Sequence, residues 1–296
     1  MNMINSNAHV TIVGCRRTTR AYPKIHVGPV CNRSKPGFGI ASRVTTGGSR
    51  QSLVTAIVMA IAFQLSVSAA ADAHACGLNI GPGAVVTISS FTLTVNCVNV
   101  AAGGRIILEN GGTLVLNGKG GCNTSTINGR IELMDCESAL QIVDVNHTVT
   151  GGGSIVGYCN TAKIVIDDNL TFTNEATIEG SLQIRAGDGT FVNNGIVEAN
   201  HENDEDDRLT LFSGTFSGGT NTCNEGYKVT ESGATLLIGV GSPTTNNMSA
   251  DFIIEDGTLD VQASVATTGG MRFSGGTISI DCGCSFTATG SLADCP

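Results

Sequence analysis

The sequence predicts an all-β protein: a right-handed parallel β-helix, or β-solenoid, with coils of about 20 residues. Three observations predict it. A glycine-led apolar phrase returns as G-I-V-E-A at Gly195, G-T-F at Gly214, G-A-T-L-L-I at Gly233, G-T-L-D-V at Gly257 and G-T-I-S-I at Gly276, at four intervals of which three are identical and one slightly longer. Short apolar alternations separated by Gly-Gly, Asn-Gly and Asn-Asn turns recur about every 8 to 12 residues from position 76 onward. The composition of no Trp, 3 Tyr and 39 Gly, with abundant Thr, Asn, Val and Ile, is that of many short strands and tight turns. Strand spacing alone also suits a sandwich or a barrel. A recurring phrase favours a solenoid, because each coil must set the same class of side chain over its neighbour.

Taken in order, residues 1–50 read as a basic extension, either unstructured or preceding the true start. Residues 51–75 read as a signal peptide and residues 76–296 as the solenoid. The stretch QSLVTAIVMAIAFQLSVSAAA, residues 51–71, follows Arg43 and Arg50 and leads to Ala73-His74-Ala75, the basic, apolar, A-x-A order of a secretory signal. Cleavage after Ala75 would leave Cys76 first and no membrane span in the mature chain. An uncleaved anchor, an organelle transit peptide and lipidation of Cys76 are the competing readings. A Leu three residues before the cysteine, usual in lipidated proteins, is absent.

Charge is divided unevenly along the chain. Eight of 16 Lys and Arg but only one of 25 Asp and Glu precede position 76, which leaves eight basic against 24 acidic side chains and a formal charge of −16 beyond it. A nucleic-acid partner needs clustered cations, and here they are scattered, so that class is excluded.

Nine of the 11 cysteines lie in the mature region: Cys76, Cys97, Cys122, Cys136, Cys159, Cys223, Cys282, Cys284 and Cys295. All nine are candidates for disulfides in an oxidising compartment, with one left over. Zinc spacing is missing, because only Cys282-Gly283-Cys284 is close in sequence. Cys76 and Cys97, separated by close to one repeat length, are placed to face each other on neighbouring coils.

The strand phrases are V-V-T-I at Val85, F-T-L-T-V at Phe91, R-I-I-L at Arg105, T-L-V-L at Thr113, R-I-E-L at Arg130, L-Q-I-V at Leu140, K-I-V-I at Lys163, L-T-F at Leu170 and S-L-Q-I at Ser181. Asn96, Asn117, Asn128, Asn146, Asn193 and Asn194 sit near the turns, where stacked amides can form hydrogen-bonded ladders or simply tolerate turn conformations. With GGTLVLNG from Gly111, GTFVNNGIVEAN from Gly189, RLTLFSGTFSGG from Arg208 and GTLDV from Gly257, the chain resembles bacterial secreted and surface right-handed parallel β-helix proteins of the adhesin and autotransporter-passenger kinds. That resemblance implies a secreted or cell-surface location and an extracellular glycan or surface protein as partner.

Candidate sites are few. His201–Arg208 breaks the repeat with Asp204, Glu205, Asp206 and Asp207, an oxygen-ligand density that could hold calcium, although EF-hand spacing is absent and a solvated acidic loop is the preferred reading. No other cofactor is expected. Asp167 and Asp168 follow a strand and are the candidate carboxylates for polysaccharide cleavage, which needs two acids facing one sugar bond. A turn explains the same pair. The phenylalanines sit inside strand phrases and read as core stacks. Thr-x-Thr at Thr92–Thr94 and Thr171–Thr173 resembles ice-binding solenoids, but in the linear sequence the phrase does not return once per coil. The function expected is therefore an exported structural or adhesive β-solenoid without catalysis, with a polysaccharide lyase or glycoside hydrolase as the alternative.

Overall fold

The computed structural model describes residues 10–13, 77–200, 207–219, 226–239 and 243–290. The chain divides into two compact units, Met1–Arg16 with Ser68–Pro296, and Arg17–Val67; the second lies wholly outside the described residues, as do positions 51–71.

The first unit is a parallel β-solenoid with three faces. Face 1 stacks Leu78–Ile80, Val98–Val100, Thr124–Ile127, His147–Thr150 and Thr171–Asn174, then the last part of Thr177–Asn193, the last part of Arg208–Gly218, and Thr244–Met248. Face 2 stacks Val85–Ser89, Arg105–Glu109, Arg130–Leu133, the starts of Ser154–Ile166 and Thr177–Asn193, then Ile196–Ala199, Gly226–Val229, Phe252–Ile254 and Met271–Phe273. Face 3 runs from Thr92–Val95 through Thr113–Leu116, Ala139–Ile142 and the remaining parts of the three long strands to Thr235–Ile238, Thr258–Val261 and Thr277–Ile280. Val265–Thr267 and Ser285–Ala288 carry face 1 onward as a small separate sheet, to which Val10–Val13 adds antiparallel. Backbone bonds such as Thr268 N–H to the Met248 carbonyl, 2.9 Å, join it to the coil before.

Coils are longer and less even than the phrase suggests. Register partners average about 24 residues apart; the pairing of Thr177 with Ile196 closes one of the shortest coils and that of Ile196 with Gly226 one of the longest. The phrase itself is a corner followed by a strand and not one whole coil. The strand after Gly195 lies on face 2 and the strand after Gly214 on face 1, whereas those after Gly233, Gly257 and Gly276 stack on face 3. Each corner begins a strand, so the same chemistry recurs wherever a corner falls.

The corner glycines exist because neighbouring coils touch there. Ser154 N–H donates to the Gly129 carbonyl at 3.0 Å, and a Cβ built on Gly153 would lie 2.1 Å from that same oxygen. A side chain at that point would force the coils apart and break the backbone ladder.

Inside the coils, identical side-chain classes stack. Leu114, Leu140, Ile164 and Ile184 are in register and fully buried on face 3, each contributing roughly 1.5–3 kcal/mol relative to exposure. On face 1, Phe172, Phe191 and Phe216 stack with ring centroids 5.8 and 6.0 Å apart. Tyr227 and Phe252 stack on face 2 at 5.1 Å, and Phe252 meets Phe286 edge-on at 4.9 Å. The core expectation fails for Phe273, 52% exposed on the last rung of face 2, and for Phe212, whose ring lies 4.4 Å beneath the Arg185 guanidinium. Both sit on outward strand positions, which the linear pattern did not separate from inward ones.

An asparagine ladder forms at the corner after face 1. Asn174 Nδ2 donates to Asn193 Oδ1 at 2.9 Å, while those two carboxamide oxygens accept the N–H groups of Ala176 and Gly195. Both side chains are fully buried, so their amides need these partners.

Two disulfides join successive coils, Cys97–Cys122 and Cys136–Cys159, with sequence separations of 25 and 23. The first corrects the expected facing of Cys97 with Cys76: with Leu78 paired to Val98, it is Gly77 that stands against Cys97, where an added Cβ would lie 3.2 Å from the Cys97 sulfur, and the partner of Cys97 lies one coil later. Cys284 is partly buried and carries a free thiol. Cys76, Cys223 and Cys295 lie outside the described residues.

Candidate functional site

The outward positions of face 2 form one column in which Ile107, Glu132, Val156, Glu179, Glu198 and Lys228 follow in register. At its first coils Glu132 is buried to 1% beneath the partly exposed Arg105 and forms a bidentate ion pair with it, Nε to Oε1 at 3.2 Å. The hydrogen bond and the charge of Glu132 raise the Arg105 pKa further above its ordinary value.

A small cleft opens further along this face, lined by Arg130, Tyr158, Glu179, Ser181, Asn200 and Asp207 together with the backbone around Gly157 and Gly180. Tyr158 ends its face-2 strand segment and is followed by Cys159, whose disulfide to Cys136 anchors the corner. Thr161 Oγ1 donates to the Cys136 carbonyl at 3.0 Å, and Gln183 Nε2 donates to the Asn160 carbonyl at 2.8 Å, bracing the same corner. Asn200 Nδ2 donates to Glu179 Oε2 at 3.2 Å, and Ser181 Oγ accepts the Arg208 N–H at 3.1 Å, tying in the chain that returns from the acidic segment. Glu198 accepts Thr230 Oγ1 at 2.6 Å beside it. The cleft thus combines one aromatic ring, one guanidinium, an amide and two carboxylates on a braced surface, which suits the hydroxyl groups of a sugar or the polar edge of a peptide.

The cleft lies where the repeat is interrupted. Of the acidic segment, Asp207 lines its rim, while Asp204, Glu205 and Asp206 lie outside the described residues. Among the described residues no group of three or more His, Cys, Asp or Glu side chains is arranged to hold a metal, and no helix is long and apolar enough to cross a membrane.

Asp167 and Asp168 lie apart from the cleft, in the turn between faces 3 and 1. Leu170 N–H donates to the Asp167 carbonyl at 3.2 Å, Asn169 adopts φ of 62°, and the Asp168 carboxylate accepts the Asp188 N–H of the next coil at 3.2 Å. These contacts shape the turn.

Arg130, Tyr158, Glu179 and Asn200 escaped the sequence reading. Their signal is the glutamate at the outward third position of R-I-E, T-I-E and I-V-E, at Glu132, Glu179 and Glu198. It becomes visible only once those phrases are known to share a face.

The titratable groups most displaced from their ordinary values are interior. Burial pushes His147 down to about 4; the residue is the register partner of Phe172, with its Nε2 2.8 Å from Ser125 Oγ. Burial pushes the Tyr227 hydroxyl and Asp251 upward, the latter opposed by the Gly270 N–H it accepts at 2.7 Å. No protein-family model matches the chain, and no curated protein or solved structure shows significant similarity to it.

Proposed function

We propose that the protein is an exported, disulfide-supported β-solenoid that acts as a structural or adhesive surface protein and recognises an extracellular glycan or surface protein through face 2. The observation that carries this reading is the braced polar cleft around Tyr158, Glu179 and Asn200, held by the Cys136–Cys159 corner. Export is supported by two inter-coil disulfides and by the basic, apolar, A-H-A order of residues 43–75.

A panel of immobilised glycans probed with the purified protein tests the cleft. The expected result is binding that Tyr158→Ala and Asn200→Ala both weaken at least tenfold while the melting temperature holds. Binding untouched by both substitutions would overturn the assignment. Export predicts a secreted form whose first residue, read by N-terminal sequencing, is Cys76.

A second reading, polysaccharide cleavage on the same scaffold, is favoured by one observation: Glu179 and Glu198 are direct register partners on adjacent coils. Parallel rungs about 4.8 Å apart can place two carboxyls at one sugar bond. Release of reducing or unsaturated ends from acidic polysaccharides, abolished by Glu198→Gln, would establish it in place of pure adhesion.

A further inference from the structure

Coil lengths hide an alignment on face 1 that the linear sequence does not show. Thr171, Thr190, Thr215 and Thr244, unevenly spaced along the chain, occupy one register column on successive coils. Beside it Thr124, Thr148 and Thr173 form a second column. These side chains are partly or fully exposed. The hydroxyls of Thr215 and Thr244 lie 3.3 Å apart, so neighbouring rungs present the same atom at the same place. The Thr-x-Thr phrase itself stands on three successive coils of face 1, at Thr124, Thr148 and Thr171, and not on the next three, where the single in-register threonines Thr190, Thr215 and Thr244 continue the first column; insertions at the corners absorb the irregular lengths.

A second observation is independent of the threonines. No strand of face 1, from Leu78–Ile80 to Ser285–Ala288, contains Asp, Glu, Lys or Arg, whereas face 2 carries Arg105, Arg130, Glu179, Glu198 and Lys228 and face 3 carries Lys163, Arg185 and Arg208. Of the 24 acidic side chains beyond position 75, none among the described residues lies on a strand of face 1. Beneath it, Phe172, Phe191 and Phe216 and the Asn174–Asn193 pair stack the rungs of Thr171, Thr190 and Thr215 in register, the kind of side-chain stacking that supports flat sheets; the pairing with Thr244–Met248 keeps Thr215 opposite Thr244 and slips only after Phe216.

A ligand for such a face must itself be neutral, rich in hydroxyl groups and periodic. Rungs repeat at about 4.8 Å. Oxygens joined tetrahedrally by O–H···O bonds of about 2.8 Å place second neighbours about 4.6 Å apart. The threonine column thus nearly matches the repeat of a tetrahedral water lattice, and four rungs span about 14 Å. Threonine is stiff about χ1, so little side-chain freedom is lost when its methyl and hydroxyl meet an ordered surface. A charged side chain would retain its own differently oriented hydration shell and disrupt that match.

We infer that face 1 is an ice-binding surface, adsorbing to crystalline water through its in-register threonines, separately from the cleft on face 2.

The test is nanolitre osmometry on the full chain. The expected result is a gap between the melting and growth temperatures of a single ice crystal that rises with protein concentration. Thr190→Lys and Thr244→Lys should each abolish it, while Thr258→Lys on face 3 and Tyr158→Ala on face 2 leave it unchanged. Thr244 lies on an exposed position, so its lysine variant folds even where another does not, as circular dichroism checks. The inference is overturned if no gap arises at any concentration, if the face-1 and face-3 variants lose it alike, or if the face-1 lysines leave it intact. Adsorption to a crystalline polysaccharide without any effect on ice growth overturns it as well.

Discussion

Replacing His147 by phenylalanine should remove a pH dependence of stability that this side chain imposes. His147 is 1% exposed, its Nδ1 has no hydrogen-bond partner, and it stands in register with Phe172 at the end of the aromatic ladder. Its folded pKa lies at about 4 because burial disfavours the imidazolium, against about 6.5 in an unfolded chain. The unfolded state therefore binds the proton first. Stability is unaffected above about pH 6.5, falls as pH drops from there to about 4, and loses about 3 kcal/mol in all from this group.

At pH 7 the substitution forfeits the contact with Ser125 Oγ, roughly 1 kcal/mol. It gains an aromatic pair with Phe172 of similar size. The two proteins should then match near neutrality and diverge in acid, with His147→Phe the more stable by about 3 kcal/mol at pH 4. Asp251 titrates with the opposite sign, since burial raises its pKa and protonation there favours the fold; taking the difference between the two proteins cancels its contribution. Urea unfolding at pH 7, 5.5 and 4 measures that difference. Parallel loss of stability in both proteins would refute the assignment of the acid sensitivity to His147.

Replacing either inter-coil disulfide, by Cys97→Ser with Cys122→Ser or by Cys136→Ser with Cys159→Ser, should cost about 3 kcal/mol, the chain-entropy value for loops of this length. Thermal melts with and without reductant read it, and an unchanged midpoint would contradict the pairing. Gly153→Ala should destabilise by about 1–3 kcal/mol through its approach to the Gly129 carbonyl. Gly152→Ala, with nothing within 4 Å of its added carbon, should be close to neutral; equal effects would refute the coil-contact argument. If the acidic segment holds calcium, millimolar calcium raises the melting temperature and Asp204→Asn with Asp206→Asn removes the rise, whereas a flat response rejects the site.

The fold class was legible in the amino-acid sequence. Local alternation fixes which residues can share a strand, and Gly-Gly, Asn-Gly and Asn-Asn fix where the chain must turn, because both depend on residues within a few positions of one another. The cysteine content likewise pointed to covalent links between coils. Which strands share a face emerges only when the coils stack, because corners take up coils of unequal length without disturbing the rungs. The even spacing of Gly195, Gly214 and Gly233 therefore placed three strands on three different faces, and Cys97 met Cys122 and not Cys76. For the same reason neither the cleft of Arg130, Tyr158, Glu179 and Asn200 nor the threonine columns of face 1 could be read from linear spacing. Both are made by hydrogen bonds between coils, which align residues by register and take no account of the length of chain between them.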